Sequence, residues 1–238
     1  MSEGLVAFPG VDALAARFGL SREQAAQLSR FGQILAEDVH ASTTVRDPAR
    51  VRDDHLADAL VALELPVIRD AGSLADLGAG AGVPGIPLAI ALPATHVVLV
   101  EGTGRKCDFM ADVSGQLGLS NVEVVRTRAE TWLEGRERFD VVTARALAPL
   151  DVVAEYAAPL LKLGGSLVAW RGQRDPDAEA AGARAAEVLG LSAAAPLRVE
   201  PYPGALNRHL HVMLKVAATP ARFPRRDGVA RKRPLGRT

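Results

Sequence analysis

Apolar residues over the first seventy positions recur at helical spacing. Leu28, Phe31, Leu35 and Val39 share one stripe, and Ser21 with Gln24 forms a capping box ahead of them, which predicts one helix to about His40. The segment from Thr43 to Arg52 is polar and holds Pro48, so it reads as a loop. Leu56, Ala59, Leu60 and Leu63 then make a second stripe on a helix that ends near Pro66. Each stripe needs an apolar partner, and residues 1–70 read as a helical cap packed on a main domain.

From Leu74 the pattern changes to short apolar runs alternating with helical segments, the signature of a parallel sheet wrapped on both faces. Strands are predicted at Leu74 to Leu77, His96 to Val100, Val122 to Val125, Phe139 to Thr143 and, after a Gly164-Gly165 turn, Ser166 to Trp170. Helices are predicted from Ile86 to Leu92, Lys106 to Leu117, Leu150 to Leu161 and Ala178 to Leu189. The last two strands, Leu197 to Pro201 and His209 to Val216, are joined by too short a link for a right-handed crossover and must run antiparallel. The fold class is therefore α/β, a mostly parallel seven-stranded sheet with an antiparallel last strand over residues 71–218, carrying the helical cap in front.

Composition adds little to this picture except at the end of the chain. A hydrophobic content of 48% in 238 residues is ample for a core, and the formal net charge is zero. Seven basic residues against one acid fall in the last seventeen positions, so residues 1–221 carry about −6 and any attraction to nucleic acid is local. Residues 219–238 read as a basic tail ordered only in part. Cys107 is the single cysteine, which excludes an intramolecular disulfide and argues against a thiolate metal site; it reads as a small packed residue. The start of the chain lacks the basic region of a signal peptide, and the longest apolar region is broken by Pro84, Pro87 and Pro93. A cytoplasmic protein with no membrane contact is expected.

The chemistry centres on LADLGAGAGVPG, residues 74–85, where a strand ends in a carboxylate and four glycines follow. Glycines so placed permit positive φ and let a ligand approach bare backbone. Gly80, Gly82 and Gly85 satisfy G-x-G-x-x-G, which is compatible with a dinucleotide fold, with another cofactor, or with a tight strand-to-helix turn alone. Asp76 favours S-adenosylmethionine, because a carboxylate there repels a diphosphate and attracts an ammonium. Gly78, Gly80, Gly82 and Asp76 are thus candidate cofactor residues. Glu101, ending the second strand, can accept both hydroxyls of a ribose, or can be an exposed acid at a strand end. Glu130 sits where an adenine would be met, or answers a helix dipole. Arg145 ends the fourth strand at the place where an open α/β sheet holds its ligand.

Several stretches carry a more specific likeness. DLGAGAGVPGIPLAIALP, VVLVEGTGRKCDFM, RTRAE, FDVVTARALAPL, PLLKLGGSLVAWRG and the closing RHLHVMLKVAATPARFPRRDGVARKRPLG, with TTVRDP, His55, Asp58 and Leu60 upstream, together resemble the ribosomal RNA small-subunit methyltransferase G family, also called glucose-inhibited division protein B. The resemblance implies a Rossmann-like S-adenosylmethionine-dependent methyltransferase fold and methylation of N7 of a guanine in the helix 18 loop of bacterial 16S rRNA. It also implies cofactor contacts at Gly78, Val83, Ala129, Glu130 and Arg145. Trp170-Arg171-Gly172 stands where a Lys-Gly is common, and Gly102-Thr103 follow Glu101 where the family varies.

The chemistry implied needs no general base, because N7 already offers a lone pair to a sulfonium methyl and positioning can supply the rate. Arg145 is the candidate catalytic residue, between cofactor and guanine, and Arg208 supports the RNA; a structural ion pair is the alternative for each. Arg105, Lys106, Arg225 and Arg226 are candidate phosphate contacts to 16S rRNA in the 30S subunit, with a solvated tail as the competing reading for the last two. The five histidines show no metal-ligand spacing, so no metal is expected, and a monomer is. A small-molecule methyltransferase would share the glycine turn without using the tail, and a non-catalytic RNA-binding or assembly protein would keep the fold and transfer no methyl.

Overall fold

The computed structural model describes residues 8–236. Two helices open it, α1 (Val11–Phe18) and α2 (Arg22–Glu37). The capping box at Ser21 forms as the sequence predicts, and Gln24 does a second job, its Nε2 donating to the carbonyls of Ile90 and Ala91 at 2.8 and 3.1 Å. Leu28, Phe31 and Leu35 are buried, but α2 stops at Glu37 and Val39 is 82% exposed. The cause lies downstream: Arg46 donates to the carbonyls of Leu35, Asp38 and Ala41, closing the helix end.

The predicted loop over Thr43 to Arg52 is partly helical. Asp47 accepts from Arg50 N at 2.9 Å and Pro48 takes the first helical position, where its missing N–H costs nothing. α3 (Pro48–Val51) runs into a π-helical turn at Arg52–Ala57, then α4 (Asp58–Leu60), a 3-10 turn at Val61–Glu64 and α5 (Pro66–Arg69). The second helix thus begins about eight residues earlier than its apolar stripe implies.

The sheet follows, with β1 (Ser73–Leu77), α6 (Gly85–Ala91), β2 (His96–Glu101), α7 (Gly104–Gln116), β3 (Val122–Arg126), β4 (Phe139–Arg145), α8 (Leu150–Ala157), β5 (Leu161–Arg171) and α9 (Pro176–Leu189). β6 (Leu191–Ala193), β7 (Leu197–Arg198), β8 (His209–Lys215) and α10 (Val229–Lys232) complete it. Strand order is β3-β2-β1-β4-β5-β8-β6, with β7 also on β8; β1 to β5 pair in parallel and β8 is antiparallel to its partners. Among the described residues the sheet has eight strands instead of seven, because the edge beside β8 is shared by the short β6 and β7. Gly164-Gly165 is not a turn before β5 but lies within it, where the β4–β5 register shifts and a Cβ on Gly165 would come within 3.0 Å of the Phe139 and Asp140 carbonyls.

Period-two alternation divides the core. Leu74, Val97, Leu99 and Val141 face α2, α6 and α7, whereas Ala75, Leu77, Val98, Val100 and Val142 face α8 and α9. The N-terminal helices share the first cluster with the sheet. The tail joins the second: Phe223 and Ala230 are 2% exposed, Arg136 donates to the Phe223 carbonyl and Arg184 to that of Gly236. A tail ordered only in part is therefore corrected to a strap packed along the body; residues 237 and 238, including the counted Arg237, lie outside the described residues.

Candidate cofactor and acceptor groove

Strand order reverses between β1 and β4, and a groove lies there across the carboxyl ends of the strands. It has two chambers that share Gly78, Lys106 and Ala146 at the pinch. Ala146 holds φ 54°, a left-handed value uncommon for alanine and costly enough to need support from its surroundings.

The first chamber, about 470 Å³, is walled by Glu101 to Thr103, Thr127 to Glu130, Leu147, Tyr156 and Arg231. Glu101 is 8% exposed; its Oε1 accepts from Thr103 N at 2.9 Å, its Oε2 from Gly80 N at 3.3 Å, and Lys106 Nζ lies 3.7 Å away. An acceptor is thus held at the end of β2 beside the glycine turn. Gly78 (φ 67°) allows the turn to pass under Leu147, whose Cδ1 would be 2.6 Å from an added Cβ, while a Cβ on Gly80 would meet nothing closer than 3.7 Å. Burial and, after it, the facing Asp227 carboxylate push the Glu130 carboxyl above its usual range.

Asp76 is not where its predicted role requires. It is fully buried, its Oδ2 accepting from Gly85 N at 3.0 Å and its Oδ1 from Thr143 Oγ1 at 2.9 Å, and it lines neither chamber. Alternation explains the direction: Asp76 shares the parity of Leu74, so its carboxylate points at the start of α6 beneath the glycine turn. Burial pushes its carboxyl up to about 7, against the hydrogen bonds from Thr143 and Gly85. Asp76 braces the turn.

The second chamber, about 550 Å³, takes Gly78 to Ala81 and Val83 from the glycine turn, Arg145 from β4, Trp170 to Gln173 from the end of β5 and the residues after it, and Arg208 and His209 from the entry to β8. The cap supplies Thr43, Asp54, His55 and Asp58. Asp54 and His55 come from the π-helical turn, and Asp58 follows it as the first residue of α4. Arg145 donates to the Asp54 carbonyl at 2.7 Å and to Asp58 Oδ2 at 3.0 Å, and its Nη2 lies 3.2 Å from His55 Nδ1. Arg208 is 3.2 Å from both Asp54 Oδ1 and Asp58 Oδ1, and Tyr202 donates to Asp54 Oδ1 at 3.0 Å. Trp170 Nε1 donates to the Asp58 carbonyl at 2.7 Å, tying β5 to the cap.

Charges in this chamber are shared out unevenly. Burial opposes ionisation of Asp54, and hydrogen bonds from Arg50 and Tyr202 outweigh it, holding that carboxyl low; for Asp58 burial wins over Arg145 and pushes the carboxyl up. His55, lowered to about 4 by burial and then by Arg145, is neutral. Its Nδ1 lies between the Arg145 guanidinium and the Asp54 carbonyl, the latter at 3.1 Å, and its Nε2 is 2.8 Å from Thr43 Oγ1.

The groove therefore collects Gly78, Gly80, Val83, Glu101, Ala129, Glu130, Arg145 and Arg208. Lys106 belongs inside it rather than on an outer phosphate-binding surface, while Arg105 is exposed on α7. Gly82 lines neither chamber; it shapes the turn against Ile86. Arg225 is corrected from RNA contact to anchor, since it makes a two-pronged pair with Glu155, 2.5 Å at the closest, and Glu155 is 1% exposed. Arg226 stays free of ion pairs among the described residues, in a cavity of about 500 Å³ with Arg222, Val229, Lys232 and Arg233. Cys107 is buried with its thiol toward the Glu101 carbonyl. Asp54 and Tyr202 were invisible to sequence reasoning; a Tyr or an Asp far from any motif gives no signal until the fold brings it to Arg208.

Residues 24–200 match the GidB family, described as rRNA small subunit methyltransferase G. Proteins named ribosomal RNA small subunit methyltransferase G align over nearly the whole chain. The one from Rubrobacter xylanophilus is 41% identical over 90% of this chain and 85% of its own, and that from Chloroflexus aggregans 42% over 91% and 92%. This chain belongs to the methyltransferase G family. Among solved structures, a SAM dependent methyltransferase from Aquifex aeolicus aligns with a TM-score of 0.56 at 18% identity, over 71% of this chain and 94% of that one. The fibrillarin pre-rRNA processing protein of Methanococcus jannaschii gives 0.54 at 18%, over 68% and 74%. Both show the fold alone, a mostly parallel Rossmann-like sheet shared with S-adenosylmethionine-dependent methyltransferases. For a methyltransferase G chain the donor set fits that cofactor: a single buried acceptor beside bare backbone at Gly80 suits a ribose, and a diphosphate would meet Glu101. No group of three or more potential metal ligands occurs among the described residues, and none of their helices is long and apolar enough to cross a membrane.

Proposed function

We propose that this protein transfers a methyl group from S-adenosylmethionine to N7 of a guanine in the helix 18 loop of 16S rRNA, in the cytoplasm. One observation carries the reading: the chamber next to the glycine turn is lined by three arginines, Arg145, Arg171 and Arg208, and both of its carboxylates are paired to arginine. Asp54 and Asp58 are committed to Arg145 and Arg208, His55 to Thr43 and Arg145, and His209 Nδ1 to the Gly172 carbonyl. An acceptor that must lose a proton finds no unpaired carboxylate there, whereas N7 needs no base at all.

S-adenosylmethionine supplies, when bound, an electrophilic methyl on a sulfonium. Glu101 would accept from the ribose hydroxyls, Ala129 and Glu130 would border the adenine, and Gly78, Gly80 and Val83 would line the passage between chambers. Arg145, fixed by Asp58 and the Asp54 carbonyl, keeps donor capacity at the pinch and would orient the guanine through O6 while N7 stays open. Arg208 would support the same base from β8. Arg226 and its basic neighbours, with Arg105 on α7, would contact phosphates without reading sequence. A base in a structured loop must be splayed out to enter, a cost borne by base-modifying enzymes generally.

Tritiated-methyl transfer to 30S subunits, free 16S RNA and 23S RNA, followed by mapping of the modified base, tests the reading. Label on one guanine of 16S RNA is expected, and Arg145→Ala abolishes it. Label on small molecules only would make this a small-molecule enzyme, and binding to 30S without transfer would make it an assembly factor.

A further inference from the structure

Among the described residues, the strap carries one basic residue that does not line its basic cavity. Arg231, on α10, lines the cofactor chamber together with Glu101, Ala129 and Glu130, more than one hundred residues away in sequence. Its Nη2 donates to the Leu147 carbonyl at 3.1 Å, and Leu147 is the side chain lying over Gly78. The guanidinium is thereby held at the chamber wall with further N–H donors to offer.

Two more observations point to a ligand at this end. Tyr156 of α8 is 2% exposed and lines the same chamber, and its hydroxyl faces the Arg231 guanidinium without a hydrogen bond of good geometry to any protein group. A buried hydroxyl without a partner is rare in folded proteins, and it is accounted for when a bound molecule completes it. The strap is also latched across the chamber mouth. Asp227 takes Arg128 at 2.8 and 2.9 Å on the loop after β3, while Arg225 grips Glu155 of α8 on the other side.

We propose that the C-terminal strap is a wall of the cofactor chamber, with Arg231 and the Tyr156 hydroxyl binding the adenine end of the cofactor. Glu130, Tyr156 and Arg231 together offer acceptors and donors around one end of the cavity, a set complementary to a purine edge with ring-nitrogen acceptors and an amino donor. Their contact would be with the adenosine and not with the methionine portion. The inference rests on the cofactor reading above.

Calorimetry with S-adenosylhomocysteine and with 5′-methylthioadenosine, which keeps the adenosine and lacks the amino acid, tests it. Arg231→Lys, Arg231→Ala and Tyr156→Phe are compared with the wild type, and Tyr156→Phe removes only the hydroxyl so that the fold is retained. Each of Arg231→Ala and Tyr156→Phe is expected to weaken both ligands by the same factor, about tenfold, with Arg231→Lys between them and the wild type. Unchanged affinity in both variants, or a loss confined to S-adenosylhomocysteine, overturns the proposal. A wild-type protein that binds neither ligand refutes the underlying cofactor reading instead.

Discussion

The two chambers of the groove are built on opposite plans. The chamber proposed for the cofactor depends on backbone: a glycine turn, two strand ends and one carboxylate that accepts from two main-chain N–H groups. The chamber proposed for the acceptor depends on side chains from three distant segments, Asp54 and Asp58 of the cap, Arg145 of β4, and Tyr202 and Arg208 near β8. Ion pairs there join the cap to the sheet, so one set of contacts serves stability and positioning together. In the cofactor chamber the two are separable.

The same kind of substitution should expose the difference. Asp58→Ala leaves Arg145 without its carboxylate in a mostly buried place and is expected to lose about 3 kcal/mol in urea unfolding. Glu101→Ala should lose about 1 kcal/mol yet weaken S-adenosylhomocysteine about a hundredfold, since charge-assisted hydrogen bonds to two hydroxyls disappear. If Glu101→Ala unfolds the protein as readily as Asp58→Ala, the contrast fails.

Acid and base act with opposite sign on Asp76, beneath the glycine turn, and on His55, in the second chamber. Asp76 has its carboxyl raised to about 7, so its favourable contribution is complete below the unfolded value near 4 and is lost as pH rises through 7. The stability of the wild type relative to Asp76→Asn should accordingly fall between pH 4 and 7. His55 is lowered to about 4, so its contribution is present above about 6.5 and is lost as pH falls through 4. The wild type should lose stability relative to His55→Gln over that acid range. Parallel curves for wild type and either variant would remove the corresponding assignment. The smallest effect is expected outside both chambers: Arg226→Ala should leave folding and cofactor binding alone and reduce the salt slope of RNA binding by about 1.

Legibility in the sequence follows the same division. The capping box at Ser21, the glycine turn and Glu101 at the end of β2 were readable because each is specified by residues within one or two turns of chain. Asp76 was readable as a strand-end acid, and its direction was available too, in the parity it shares with Leu74. The π-helical turn was not, since Pro48 looks like a breaker until Asp47 is seen capping it. Lys106 and Arg225 looked like free cations until Glu101 and Glu155 stood opposite them.

By itself the sequence determined the alternation of strands and helices, the place of the cleft and the identity of the turn that lines it, because hydrophobic period and glycine conformation are local properties. Only the tertiary structure decided which charges are spent and which remain available. An arginine's availability depends on whether a carboxylate from elsewhere in the chain reaches it first, as Asp58 reaches Arg145 and Glu155 reaches Arg225, and no local pattern records that.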